Sequence, residues 1–152
     1  MHISFVLDWL PPGALRKKIF KSAALQVVFC DYLKRLSHFT PATFSGRINA
    51  VEPKSNAKRW ICERKKGVSK NPSSEEIAEK VGQILLSGCQ QFQIIIGGPD
   101  GFSDQTIQQL KPDFIWSFGA LTYPHELAAV VSAEQIYRAW TILKKMPYHV
   151  GH

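Results

Sequence analysis

Along the chain, apolar residues alternate between short continuous runs and a three-to-four-residue recurrence. The first pattern predicts strands and the second amphipathic helices. The run that organises the rest is Phe92 to Ile96, a β-branched stretch ended by Gly97-Gly98-Pro99-Asp100-Gly101. Branched side chains suit a buried pleated strand, and Gly-Gly-Pro cannot prolong it. Glycines at the carboxyl end of such a strand also let a bound molecule approach the backbone closely. Met1 to Asp8 reads as the first strand. After Pro11-Pro12-Gly13 the spacing of Leu25, Phe29, Leu33 and Leu36 predicts a basic helix from Ala14 to about Ser37, loaded with Arg16, Lys17, Lys18, Lys21, Lys34 and Arg35. Strands follow around Phe44 to Val51 and over Arg59 to Cys62. The second of these leads into the basic loop Glu63-Arg64-Lys65-Lys66-Gly67, a candidate phosphate contact.

Ser73-Ser74-Glu75-Glu76 forms a capping box and opens a helix with Ile77, Val81, Ile84 and Leu85 on one face, closed at Gly88. Beyond Gly101, Ser103-Asp104 caps a short helix ending at Leu110 before Pro112, and Phe114 to Phe118 predicts another buried strand. A second glycine-containing loop, Gly119 to His125, leaves that strand. The last helix runs from about Glu126 to Lys145. It is apolar on two stripes, Ala129, Ala133, Ile136, Trp140 and Leu143 on one and Leu127, Val130, Val131 and Tyr137 on the other. One stripe packs on the sheet, and the other predicts a partner, most economically the same helix in a two-fold homodimer. Strands alternating with helices give an α/β fold with about five mostly parallel strands.

At 152 residues the chain predicts a single domain over 1–152, and its 45% hydrophobic and 20% charged shares are those of a soluble protein. No apolar run approaches the ~20 residues of a membrane span. The start lacks the basic segment of a secretion signal. Cys30, Cys62 and Cys89 lack paired spacing, which predicts reduced thiols in the cytoplasm and no metal site. The net charge of +7 is asymmetric: residues 1–70 hold fourteen Lys/Arg against four Asp/Glu, and residues 71–152 hold five against eight. A basic half of +10 points to a polyanion, nucleic acid first. A dinucleotide oxidoreductase is disfavoured, because no GxGxxG opens a helix after the first strand.

Four ordered motifs closely resemble the RlmH family of bacterial SPOUT-class methyltransferases, which act on large-subunit ribosomal RNA. They are Ile95-Ile96-Gly97-Gly98-Pro99-Asp100-Gly101, Leu121-Thr122-Tyr123-Pro124-His125, Glu134 to Trp140, and Pro147-Tyr148-His149. The resemblance implies a deep trefoil knot in the C-terminal part, a homodimer, and S-adenosylmethionine-dependent N3 methylation of a pseudouridine in 23S rRNA. It places the donor between three loops of this chain, at Cys62, at Gly97 and Gly98, and at Gly119, Ala120, Leu121, Thr122, Tyr123 and Pro124, within a donor-binding part of about 92–149. Two departures stand out. Leu7-Asp8-Trp9-Leu10-Pro11 replaces the family's Val-Gly-Lys type turn, and Cys62-Glu63 is followed by glycine only at Gly67.

Methylating an imide nitrogen requires alignment with the donor and loss of a proton. Within the matched motifs His149 is the candidate base or an RNA-positioning contact. Arg138 can stabilise the developing anion or grip a phosphate, and Tyr148 can stack on a base or hydrogen-bond to it. Tyr137 and Trp140 read as core or dimer-interface residues, and His125 as a loop hydrogen-bonder. Another RNA such as tRNA, or a non-catalytic RNA-binding relative, are the competing readings.

Overall fold

A computed structural model describes residues 1–12, 17–48, 54–63 and 71–150. Five parallel strands form one sheet in the order β2-β1-β4-β3-β5: β1 (His2–Leu7), β2 (Ala42–Ser45), β3 (Ala57–Cys62), β4 (Gln91–Ile96) and β5 (Phe114–Trp116). The predicted α/β architecture is the one observed. The Phe92–Ile96 run lies at the centre because it can be buried on both faces: Ile94, Ile95 and Ile96 are all but inaccessible. Each such side chain contributes about 1.5–3 kcal/mol relative to exposure.

Helices α1 (Ala23–Leu36), α2 (Ser74–Leu86) and α4 (His125–Leu143) share one face of the sheet, where Phe5, Trp60, Phe92 and Ile94 meet Phe29, Ile77, Val81 and Ile136. The short α3 (Asp104–Leu110) accompanies the other face, with Leu110 against Val6, Ile61 and Ile95. The capping box is present as read: the Ser73 hydroxyl accepts from the Glu76 N–H and Glu76 accepts from the Ser73 N–H. Helix α4 packs between α1 and α2. Trp140 lies stacked on Phe39 at 5.8 Å, and Tyr137 contacts Phe39 and Tyr32. Much of the apolar surface that predicts a second copy is therefore covered within one chain, while Leu127 and Val131 stay half-buried.

Three boundaries differ from the sequence reading. Helix α1 starts at Ala23 rather than Ala14. Ser22 caps it, and Ile19 and Phe20 instead enter the core in irregular backbone whose N–H groups are taken by the Gln26 side chain. Of the basic residues assigned to this helix, Lys34 and Arg35 lie in it, Lys17, Lys18 and Lys21 precede it, and Arg16 is outside the described residues. Strand β2 ends at Ser45, because Gly46 lies so close to Pro11 that a Cβ would stand 2.1 Å from its carbonyl oxygen, and the Arg47 N–H donates to Leu10. The remainder of the expected strand to Val51, like Arg64 to Gly67 of the basic loop, falls partly or wholly outside the described residues. Strand β5 stops at Trp116, paired only with the last residues of β3.

Glu126, in the first turn of α4, fixes where α1 begins. Its buried carboxylate accepts from the backbone N–H groups of Lys21 at 2.6 Å and Ser22 at 3.0 Å. Negative charge there also suits the positive end of α1. Glu126→Ala strands those donors and is expected to destabilise the protein by about 2–3 kcal/mol, with Glu126→Gln costing less because its amide oxygen still accepts. Urea unfolding measures this, and a change below about 0.5 kcal/mol for the alanine variant would refute the assignment.

Candidate active site

The parallel register sets the site. Cys62 pairs with Ile96 on one side and with Trp116 on the other, so β4, β3 and β5 end level and their loops leave side by side. Between these loops and the first turn of α4 lies a cleft of about 480 Å³, a size typical of small-molecule sites. Cys62, Gly97, Gly98, Gly119, Leu121, Thr122, Tyr123 and Pro124 all line it. Ala120 sits exposed on the same loop without lining the cleft. The sequence reading omitted Glu63, Trp116, Phe118, His125 and Ala128, which also face it.

Apolar walls from Ile96, Trp116 and Phe118 meet open backbone in this cleft. Gly119 has φ of +112° with nothing within 4 Å of where a Cβ would stand, so a bound molecule can reach its peptide groups directly. Leu121 is 72% exposed at the edge. Among the described residues that line the cleft, the one carboxylate is Glu63. Its N–H donates to the Trp116 carbonyl at 3.1 Å and its side chain accepts from the Phe102 N–H at 3.3 Å, which ties the end of β3 to the end of β5 and to the loop after β4. Burial, helped by the Glu63 charge, pushes the Cys62 thiol well above its ordinary range, so it stays protonated and offers no thiolate nucleophile. His125 stands edge-on to Trp9 at 4.6 Å between ring centres. Trp9 belongs to the departing turn after β1, and its Cβ packs beside Gly98. A signal for His125 and Glu63 existed in sequence, since each directly follows a residue read as part of the site.

A second cluster gathers Arg138, Tyr148 and His149. Arg138 grips Glu134 through Nε at 3.0 Å and Nη2 at 2.6 Å, and its Nη1 donates to His149 Nδ1 at 3.2 Å. The other ring nitrogen, Nε2, lies 2.8 Å from Glu75 Oε1 at the start of α2. Tyr148 donates to Glu134 at 3.0 Å and contacts the Tyr32 hydroxyl at 3.2 Å. Burial, with these partners, pushes the Tyr148 phenol well above its ordinary range, so it remains a neutral donor. Gln135 completes the connection, accepting from Ser74 at 2.7 Å and donating to Glu134 at 2.7 Å.

The structure thus brings together all three residues singled out for chemistry, and separately nearly all those singled out for the donor. It does not bring the two groups together within one chain. Arg138 stands 13 residues beyond His125 on one helix, about 20 Å at 1.5 Å per residue. Lys17, Lys18, Lys21, Lys34 and Arg47 are exposed, a basic surface contributed by the N-terminal half. Among the described residues no helix is long and apolar enough to cross a membrane.

Comparison with known proteins identifies the family. Residues 17–149 match a family model described as "Predicted SPOUT methyltransferase". A protein of Koribacter versatilis named Ribosomal RNA large subunit methyltransferase H is 36% identical over 140 residues, spanning 87% of this chain and 92% of that protein. One of the same name from Hydrogenovibrio crunogenus is 32% identical over 161 residues, covering 98% of this chain and 99% of the relative. Among solved structures, a Ribosomal RNA small subunit methyltransferase E from Neisseria gonorrhoeae bound to S-adenosyl methionine overlaps at a TM-score of 0.46 and 13% identity, across 94% of this chain and 66% of that one. By its matched length and its full-length relatives, the chain belongs to the SPOUT methyltransferase family, within the group of ribosomal RNA large subunit methyltransferase H.

Proposed function

We propose that this protein is an S-adenosylmethionine-dependent methyltransferase that modifies N3 of a pseudouridine in 23S rRNA of the large ribosomal subunit, in the cytoplasm. The observation that carries this reading is the convergence of the three motif loops on one cleft. The cleft suits the donor chemically. Apolar walls can cover an adenine, the backbone at Gly98 and Gly119 is approachable, and Glu63 places negative charge beside a ligand that bears a sulfonium and an ammonium. When bound, the donor supplies an electrophilic methyl group. The chain's contribution is to align it with the acceptor nitrogen, exclude competing nucleophiles and handle the imide proton. The exposed lysines of the N-terminal half are the RNA-facing charge.

We also propose a single SPOUT domain, a trefoil knot in the C-terminal part and a homodimer. Family membership supports all three. The span of about 20 Å along α4 between the donor cleft and the Arg138 cluster further supports the dimer, because a second copy can supply the one to the other. In that arrangement His149, Arg138 and Tyr148 of one protomer complete the donor cleft of its partner.

Calorimetric titration of S-adenosylmethionine is expected to give saturable binding, abolished by Gly98→Trp, whose bulk enters the cleft wall against Trp9. Absence of binding by the folded wild-type protein would favour an RNA-binding relative without chemistry. With ribosomes lacking the modification as substrate, wild-type protein is expected to transfer one methyl group to a pseudouridine of 23S rRNA, and transfer confined to tRNA would reject the proposed substrate. Gly98→Trp and His149→Ala are each expected to be nearly inactive. Mixed and re-equilibrated, they are expected to recover about a quarter of wild-type activity, since half the dimers are mixed and each holds one intact shared site. No recovery would rule out shared sites.

A further inference from the structure

Glu75 is not the capping residue of the Ser73-Ser74-Glu75-Glu76 box, because Glu76 returns to the cap amide. Its carboxylate instead reaches the C-terminal tail, 2.8 Å from His149 Nε2. The opposite ring nitrogen faces Arg138. A guanidinium has only donors, so Nδ1 must accept, and the ring proton must sit on Nε2, donated to Glu75. The tautomer of His149 is therefore dictated by its two neighbours. A carboxylate behind an imidazole orients the ring and stabilises it once it gains a second proton.

We propose that Glu75 is a positioning residue that makes His149 Nδ1 the proton acceptor of the methylation reaction, an inference that rests on the methyltransferase reading above. Without RNA, Arg138 Nη1 occupies Nδ1. When an imide arrives, Nη1 turns to its carbonyl oxygen, while Nε and Nη2 keep their hold on Glu134. The proton passes from the imide nitrogen to Nδ1. The electron pair it leaves spreads over the imide and faces the guanidinium, and the new imidazolium charge faces Glu75. After methyl transfer the ring returns its proton to water.

The other charged and polar groups around the ring fit this division. Glu134 is committed to Arg138, Tyr148 and Gln135, and among the described residues Glu75 is the carboxylate in contact with the ring itself. Hydrogen bonds from its own backbone, His149 and Ser73 hold the Glu75 carboxyl below its ordinary range, in keeping with an ionised partner for the ring.

The test is a double-mutant cycle in ribosome methylation, joined to a readout that needs no turnover. Glu75→Ala is expected to lower kcat about 10–100-fold with donor KM within about twofold, and Glu75→Gln, which keeps an acceptor oxygen, to lower it less. In a His149→Ala background, Glu75→Ala is expected to cost nothing further. Equal losses in both backgrounds, or an unchanged kcat in Glu75→Ala, would overturn the proposal. Carbon-13 NMR of the Glu75 carboxyl is expected to show its midpoint rising in His149→Ala, and an unmoved midpoint would deny the contact. The two failures are separable. A wild-type protein inactive on ribosomes defeats the methyltransferase reading, whereas an active one indifferent to Glu75 defeats this inference alone.

Discussion

Strands β4, β3 and β5 are parallel and end level, with Ile96, Cys62 and Trp116 side by side. Parallel strands must be joined by crossovers, so their carboxyl ends all face one edge of the sheet, and loops from neighbouring strands are forced together there. Everything in the cleft follows from this alignment. Glu63 hydrogen-bonds to the last residue of β5 and to the loop after β4, and a one-residue slip of β3 would reverse which side chains face the core. The alignment is itself enforced by burial, since Trp60 contacts Phe92, Phe114 and Trp116 edge-to-face at 4.8–5.5 Å.

Helix α4 acts as a ruler between two chemical regions. Its first turn closes the cleft through His125 and Ala128, and clamps the segment before α1 through Glu126. Its later turns carry Glu134 and Arg138, onto which the tail folds. A helix held between α1 and α2 cannot bend to bring these ends together. The separation is thus a property of the fold, and it gives the proposed homodimer a chemical purpose beyond covering apolar surface.

The departures from the family pattern find a structural place. Trp9, in the altered turn after β1, donates its indole N–H to the Ile19 carbonyl at 3.0 Å and packs on Phe20, His125 and Gly98. It supports the cleft wall from behind and ties it to the irregular segment before α1. Glu63 keeps an acid directly after Cys62, at the junction of the three loops.

The sequence by itself was sufficient for the presence of the five strands, though not for the bounds of β2 and β5, for the α/β class, for the caps of α2 and α3, and for the two glycine-containing loops at strand ends, Gly97-Gly98 and Gly119 to Pro124. Those features are local: β-branched runs, a serine three residues before a glutamate, and glycines at strand ends act through neighbours in the chain. The motif resemblance likewise selected His149, Arg138 and Tyr148, which the fold brings into contact. Tertiary structure alone decided the start of α1, where a carboxylate more than a hundred residues away captures two backbone donors. It also decided the contact of Trp9 with His125 behind the cleft wall and the pairing of Glu75 with His149. In each case the partner lies distant in sequence, and no periodicity or cap can report a contact whose two halves meet only when the sheet and its helices have packed.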